Sequence, residues 1–217
     1  MSLIAYTHVV WDFNGTLFDD VQLGIDSVNR MLAPRGLPIL PDADTYREKF
    51  GFPVDEYYRR LGFDFEREDY DTVLAPEWFA NYMSGESSCP MTEGAEQTVA
   101  ALRELGVSQL VLSASEKSLL DSQLTRLGVL DCFEEILGLD NIHARSKAHL
   151  ASAWRAAHPH AKVLFVGDTE HDADVAAVMG ADCLLYTGGH QPRAVLAARG
   201  VPLIDRISQV LDHVCRA

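Results

Sequence analysis

Long apolar runs, a basic surface and paired cysteines are what this 217-residue chain lacks. No stretch approaches the roughly 20 apolar residues of a membrane-spanning helix, so no membrane partner is expected. No basic segment precedes the apolar run Val9-Val10-Trp11, which argues against a secretory signal. Lysine and arginine total 18 against 32 acidic residues, for a formal net charge of −14. Nucleic-acid phosphates need clustered cations, so nucleic acid is not an expected partner. A small phosphorylated molecule remains possible, because a metal ion and one local cation can invert the field inside a site. Cys89, Cys132, Cys183 and Cys215 form no CxxC pair and suit four reduced thiols in the cytoplasm. The histidines, His190 among them, make no HExxH-type arrangement, and most read as surface or satisfied residues, His171 as a surface one.

What is present is a globular composition, 47% hydrophobic and 23% charged. The length suits one domain with a sizeable insertion or two small domains. A first strand covers about residues 7–12. From Asp19 to Cys89 the pattern turns helical, and Val21, Ile25, Val28 and Leu32 share one helix face. Nothing in that stretch alternates like a strand. After Cys89-Pro90 the chain alternates strand and helix, with buried strands at Gln109–Ser113, Lys162–Asp168 and Cys183–Tyr186 and a weaker one at Phe133–Gly138. This predicts an α/β fold, a Rossmann-like parallel sheet with helices on both faces, plus a small all-helical domain. The expected boundaries are 1–18 with 90–217 for the α/β core and 19–89 for the helical insert.

Two apolar strands end on carboxylates, at Asp12 and Asp168, and Asp172 lies one turn beyond the second. Strand C-termini of a parallel sheet share one edge, so these groups can converge. Clustered carboxylates repel one another unless a cation compensates. Oxygen-only ligation favours Mg²⁺, which commonly takes carboxylates together with a substrate phosphate. Ser113 ends an intervening strand with a hydroxyl suited to a phosphoryl oxygen. Lys147 opens a helix after the loop Ile142-His143-Ala144-Arg145-Ser146 and offers a positive charge.

With these residues in order, the chain resembles the haloacid dehalogenase superfamily, in particular its phosphoglycolate phosphatase-type members with a helical cap after the first strand. Asp12-Phe13-Asn14-Gly15-Thr16-Leu17 resembles the first motif, Leu110–Ser113 the second, Lys147 the third and Gly167–Asp172 the fourth. The resemblance implies a Mg²⁺-dependent phosphatase of a small phosphorylated metabolite, monomeric or homodimeric, with Asp12 as nucleophile and an aspartyl-phosphate intermediate. It implies that Asp12, the Asn14 carbonyl, Asp168 and Asp172 hold the metal. Ser113, Ala114 and Lys147 would grip the phosphoryl group. The insert is expected to set specificity through Gly51-Phe52-Pro53, Tyr57, Arg59 and Arg60, with Arg59 available for a second anionic group.

Asn14 departs from the pattern. Family phosphatases carry there an acid that protonates the leaving oxygen and then activates water, and an amide does neither at neutral pH. The expected consequence is a slow enzyme, or one suited to acyl or aryl phosphates. The alternative is a degenerate, weakly active or non-catalytic phosphate-binding member. Asn14-Gly15 also reads as an exposed-loop pair prone to succinimide formation, whose partial deamidation would restore an acid. Asp19 and Asp20 read as caps of the first insert helix.

Overall fold

The computed structural model describes residues 3–143 and 146–216. A short strand β1 (Leu3–Ile4) leads to β2 (His8–Trp11), the central strand of the molecule. Four helices follow: α1 (Val21–Leu32), α2 (Ala43–Lys49), α3 (Val54–Leu61) and α4 (Ala75–Met83). The chain then alternates α5 (Ala95–Glu104), β3 (Ser108–Glu116), α6 (Lys117–Arg126), β4 (Glu135–Leu139), α7 (Ala148–Ala157), β5 (Val163–Gly167), α8 (Glu170–Met179) and β6 (Asp182–Tyr186). It closes with α9 (Arg193–Ala197), β7 (Leu203–Ile204), α10 (Val210–Val214) and β8 (Cys215–Arg216), the last paired with β1.

Six strands form one parallel sheet in the order β4-β3-β2-β5-β6-β7. Alternation along the strands sorts their side chains into two cores, as the two-residue period of a strand requires. Val9 and Trp11 of β2, Val111 of β3 and Leu164 and Val166 of β5 face one side, under α5, α6 and α10. Val10, Leu110, Leu112, Val163 and Phe165 face the other, under α7, α8 and α9. Burial on both faces explains why these strands are nearly continuous apolar runs. The tryptophan still finds a partner: Trp11 Nε1 donates to Gln109 Oε1 at 3.0 Å.

The helices between β2 and α5 bury a third core of their own. The face predicted for α1 packs there, with Tyr46 of α2, Tyr57, Tyr58 and Leu61 of α3, and Leu74. Arg35 ties this layer together, reaching the Met31 carbonyl and the carboxylates of Glu68 and Glu77 at 2.6–3.0 Å. The wide helical turn Tyr70–Leu74 abuts the start of α4 directly. Pro76 sits in the first turn of α4, where its missing N–H costs nothing.

β2 lies between β3 and β5, so the crossovers leave it in opposite directions. A crevice at the carboxyl ends of the strands opens at such a switch point. Asp12, Ser113 and Asp168 all emerge beside it.

Candidate active site

Asp12 follows β2 directly, and its N–H extends the ladder to the Val166 carbonyl at 2.8 Å. Its carboxylate is buried and paired with the ammonium of Lys147. Lys147, at the start of α7, is only 2% exposed. Its Nζ also meets Asp172 Oδ1 at 2.7 Å and donates to the Leu112 carbonyl at 2.9 Å. One cation thus bridges the end of β2, a carbonyl of β3 and the first turn of α8. Ala144 and Arg145, in the loop ahead of it, lie outside the described residues.

Asp168 and Asp172 are fixed by local backbone chemistry. Thr169 caps α8, and Asp172 closes a capping box with it. Asp172 Oδ2 accepts from the N–H groups of Asp168 and Thr169 at 3.1 and 3.0 Å and from the Thr169 hydroxyl at 2.7 Å. Asp168 accepts from the Thr16 hydroxyl at 3.0 Å and from the His190 N–H at 2.6 Å. Gly15 holds φ at 70°. A side chain there would run into Asp168 and the His190 ring, so the tight turn after Asp12 needs glycine on both counts.

Burial pushes Asp12 well above the usual carboxylate range, and the Asp172 charge adds to it against the pull of Lys147. Burial likewise lifts Asp168 to about 6. Burial acts on Asp172 in the same sense, but Lys147 and the Thr169 hydroxyl overcome it and hold Asp172 low. Three carboxylates crowd one ammonium, so acid groups outnumber the cation in contact with them. The ligand oxygens of Asp12, Asp168 and Asp172 lie within 4.8 Å of one another. A small divalent cation with a preference for oxygen fits that donor set, and Mg²⁺ is such an ion.

Asn14 sits at the edge of this cluster with both ends of its amide engaged. Its Nδ2 donates to Asp20 Oδ2 at 2.7 Å and to the Tyr82 hydroxyl at 3.0 Å, while its Oδ1 accepts from Ser115 Oγ at 2.7 Å. Asp20 stands at the N-cap position of α1, but its side chain makes no cap bond. Its carboxylate turns inward, accepting from the Gly15 N–H at 2.9 Å and the Tyr82 hydroxyl at 2.8 Å. It also pairs with His190 Nε2 at 3.3 Å. The expected capping role of Asp20 is therefore corrected. So is the exposed-loop reading of Asn14-Gly15. Gly15 is buried, and its nitrogen, the atom that would attack the amide, is committed to Asp20 and the Phe18 carbonyl.

His190, grouped in the sequence with the histidines that read as surface or satisfied, follows β6 at the same sheet edge. Burial would lower it, but the hydrogen bond and charge of Asp20 win and raise it to about 9. The second imidazole nitrogen meets the Tyr46 hydroxyl at 2.9 Å, which ties the α/β layer to the helical one.

A cavity of about 150 Å³ opens above these groups. Ser113 and Ala114 line it, as do Asp12, Asn14, Lys147, Asp168 and Asp172, so seven of the eight predicted site residues converge. Arg59 does not. Its guanidinium lies 4.1 Å over the Phe65 ring and beside Glu56, away from the cavity. Arg60 is also turned away, donating to the Lys49 carbonyl at 3.0 Å. Phe52 and Tyr57 do reach the wall. His171, expected on the surface, forms part of that wall and stacks on Phe52 at 4.6 Å between centroids.

The tyrosine-protein kinase PtkA of Mycobacterium tuberculosis is 28% identical over 185 residues, 84% of this chain. This chain spans 62% of the length of that relative. A phosphoglycolate phosphatase of Neisseria gonorrhoeae is 25% identical over 215 residues, covering 95% of this chain and 90% of its own. In fold, the haloacid dehalogenase-like protein SP0104 of Streptococcus pneumoniae superposes with a TM-score of 0.80 at 19% identity, over 97% of this chain and 99% of the other. The PtkA structure superposes with a TM-score of 0.79 at 22% identity, over 97% and 98%. The model of the haloacid dehalogenase-like hydrolases matches residues 9–186, and this chain belongs to that family.

Proposed function

We propose that the chain is a Mg²⁺-dependent phosphatase of a small phosphorylated metabolite, acting through an aspartyl-phosphate on Asp12. One observation carries the reading: a buried carboxylate at the end of the central strand, gripped by Lys147, faces a cavity with Asp168 and Asp172 beside it. Relatives named as a phosphatase and as a kinase share phosphoryl transfer, which supports the same class. Residues 1–18 with 90–217 serve as the catalytic core, and residues 19–89 as a cap that shields the site from water. No helix among the described residues is long and apolar enough to cross a membrane. The four free cysteines suit a cytoplasmic enzyme, whether monomer or homodimer.

In the first step an Asp12 oxygen attacks phosphorus, while Ser113, Ala114 and Lys147 hold the phosphoryl oxygens. The bond to the leaving oxygen breaks and takes the electron pair with it. In the second, water attacks phosphorus and the bond to Asp12 breaks, releasing inorganic phosphate. Mg²⁺ would be held by Asp12, the Asn14 carbonyl and Asp168. Asp172 would join them directly or through water. The ion supplies positive charge against the phosphoryl oxygens. Asn14 gives no proton to the leaving group and takes none from water.

A panel of phosphate esters with and without Mg²⁺ tests the reading. Turnover that needs the metal and vanishes in Asp12→Asn is expected, and metal-independent turnover surviving that change would refute it. The engaged Asn14 amide favours one rival, a member that binds phosphate compounds without hydrolysing them. Release of phosphate from acetyl phosphate, whose leaving group needs no acid, would exclude the rival.

A further inference from the structure

We propose that the substrate is an aryl phosphate, with one aromatic ring in the cavity above Asp12 and a polar ring substituent meeting Tyr57 Oη and His171 Nε2. This rests on the phosphatase reading. The cap side of the cavity is built almost wholly from rings, among them Phe50, Phe52, Tyr58, Trp78 and Phe79. Flat apolar walls favour a flat apolar guest, stacked or edge-on. The cavity of about 150 Å³ is charged at its Asp12 end and apolar under the cap, which suits a small guest carrying an anionic group on one ring.

The cations at this site are already committed. Lys147 faces two carboxylates and a carbonyl, and His190 faces Asp20. Among the described residues lining the cavity, none offers a second anionic group, such as a substrate carboxylate, a free positive charge. Two polar atoms of the lining residues are by contrast unmatched. Tyr57 Oη and His171 Nε2 are buried and have no hydrogen-bond partner among the described residues. A buried polar group without a partner weakens a fold, and a ligand that bonds to it explains its presence. Apolar walls with a few placed polar atoms are what a small-molecule site needs.

The chemistry at position 14 points the same way. An alkoxide is a poor leaving group unless an acid protonates it. A phenolate, whose conjugate acid titrates near 10, departs unprotonated. Asp12 attacks phosphorus, the P–O(aryl) bond breaks, and the electron pair leaves on the phenolate, which takes its proton from solvent. Water then cleaves the aspartyl-phosphate. The sum is aryl phosphate plus water giving phenol and inorganic phosphate, with no further reactant.

Binding separates ring recognition from leaving-group reactivity. Calorimetry on the full chain with Mg²⁺ should find phenylphosphonate bound at least about tenfold more tightly than methylphosphonate. Equal affinity would overturn the proposal. In turnover, phenyl phosphate should exceed phosphoglycolate at least about tenfold in kcat/KM, and one of the ortho, meta or para hydroxyphenyl phosphates should exceed phenyl phosphate. Tyr57→Phe should lower kcat/KM for that hydroxyphenyl ester more than for phenyl phosphate. A preference for phosphoglycolate would overturn the proposal and leave the phosphatase reading standing. No Mg²⁺-dependent turnover of any ester would sink the phosphatase reading, and the phosphonate pair would still decide whether the cavity takes a ring.

Discussion

The amide nitrogen of Asn14 donates to Asp20 at 2.7 Å, so a carboxylate lies beside the position where an acid is missing. Asp20 is 2% exposed, and its other bonds come from the Gly15 N–H, the Tyr82 hydroxyl and His190. An acid placed at position 14 would therefore confront a second carboxylate at hydrogen-bond distance, and like charges that close cannot both ionise. Asn14→Asp alone should destabilise the protein by about 1–3 kcal/mol. Adding Asp20→Asn should recover most of that loss and yield the larger gain on alkyl phosphates. Denaturant unfolding of the two single variants and the double variant checks the coupling, which should reach about 1–3 kcal/mol. Additive effects would show that the two positions do not share an acid site.

The same absence acts on the second half of the reaction. Water attacking the aspartyl-phosphate finds no base at position 14, and general acid–base help of this kind is typically worth ~10²–10⁴-fold. With an aryl ester the first step escapes that loss and the second does not. Stopped-flow with a chromogenic aryl phosphate should show a burst of about one phenolate per enzyme, then a slow steady rate common to all aryl esters. Linear release from the first turnover, with a rate that follows the leaving-group pKa, would place the slow step earlier.

The strands of the parallel sheet were legible because burial on both faces leaves apolar runs that end abruptly on Asp12, Ser113 and Asp168. The same runs carried most of the site, since parallel strands deliver their ends to one edge. Asp20 was misread because an acid before an amphipathic helix looks like a cap, and only its inward turn reveals the bonds to Tyr82 and His190. His190 was missed because its role comes from contacts with residues 170 and 144 positions away in sequence, Asp20 and Tyr46. Arg59 failed for a related reason. Spacing places it on α3, but Phe65 and Glu56 decide which way it points. The two-residue strands β1, β7 and β8 are too short for any periodic signal.

Lys147 carries the only positive charge in direct contact with Asp12 and Asp172 among the described residues. Removing one partner of a buried ion pair leaves an uncompensated charge, a loss of about 3–5 kcal/mol. Lys147→Met should lower stability by that order and abolish turnover. A divalent cation offsets some of the exposed repulsion. Mg²⁺ should therefore raise the Tm of the variant by more degrees than it raises that of the unaltered protein. Thermal unfolding with and without Mg²⁺ measures both increments. Equal increments would mean that metal and lysine do not answer to the same carboxylates.

Tyr57 separates a residue kept for packing from one kept for a ligand. Its ring packs edge-on against Tyr46, Phe50 and Tyr58, and its hydroxyl is buried without a partner among the described residues. An unmatched buried hydroxyl costs about 1–3 kcal/mol, whereas the ring alone would pack at no such cost. Tyr57→Phe should therefore raise stability by up to that amount. For a chain of this length each kcal/mol corresponds to about 2–4 °C in Tm, so a gain of several degrees is expected in ligand-free protein. Saturating with the best-bound hydroxyphenyl ester's phosphonate analogue should shrink the gap or reverse it, because only the tyrosine gains a hydrogen bond on binding. A Tm that falls without ligand would mean that the hydroxyl already has a stabilising partner, and the cavity would lose one of its two proposed polar contacts.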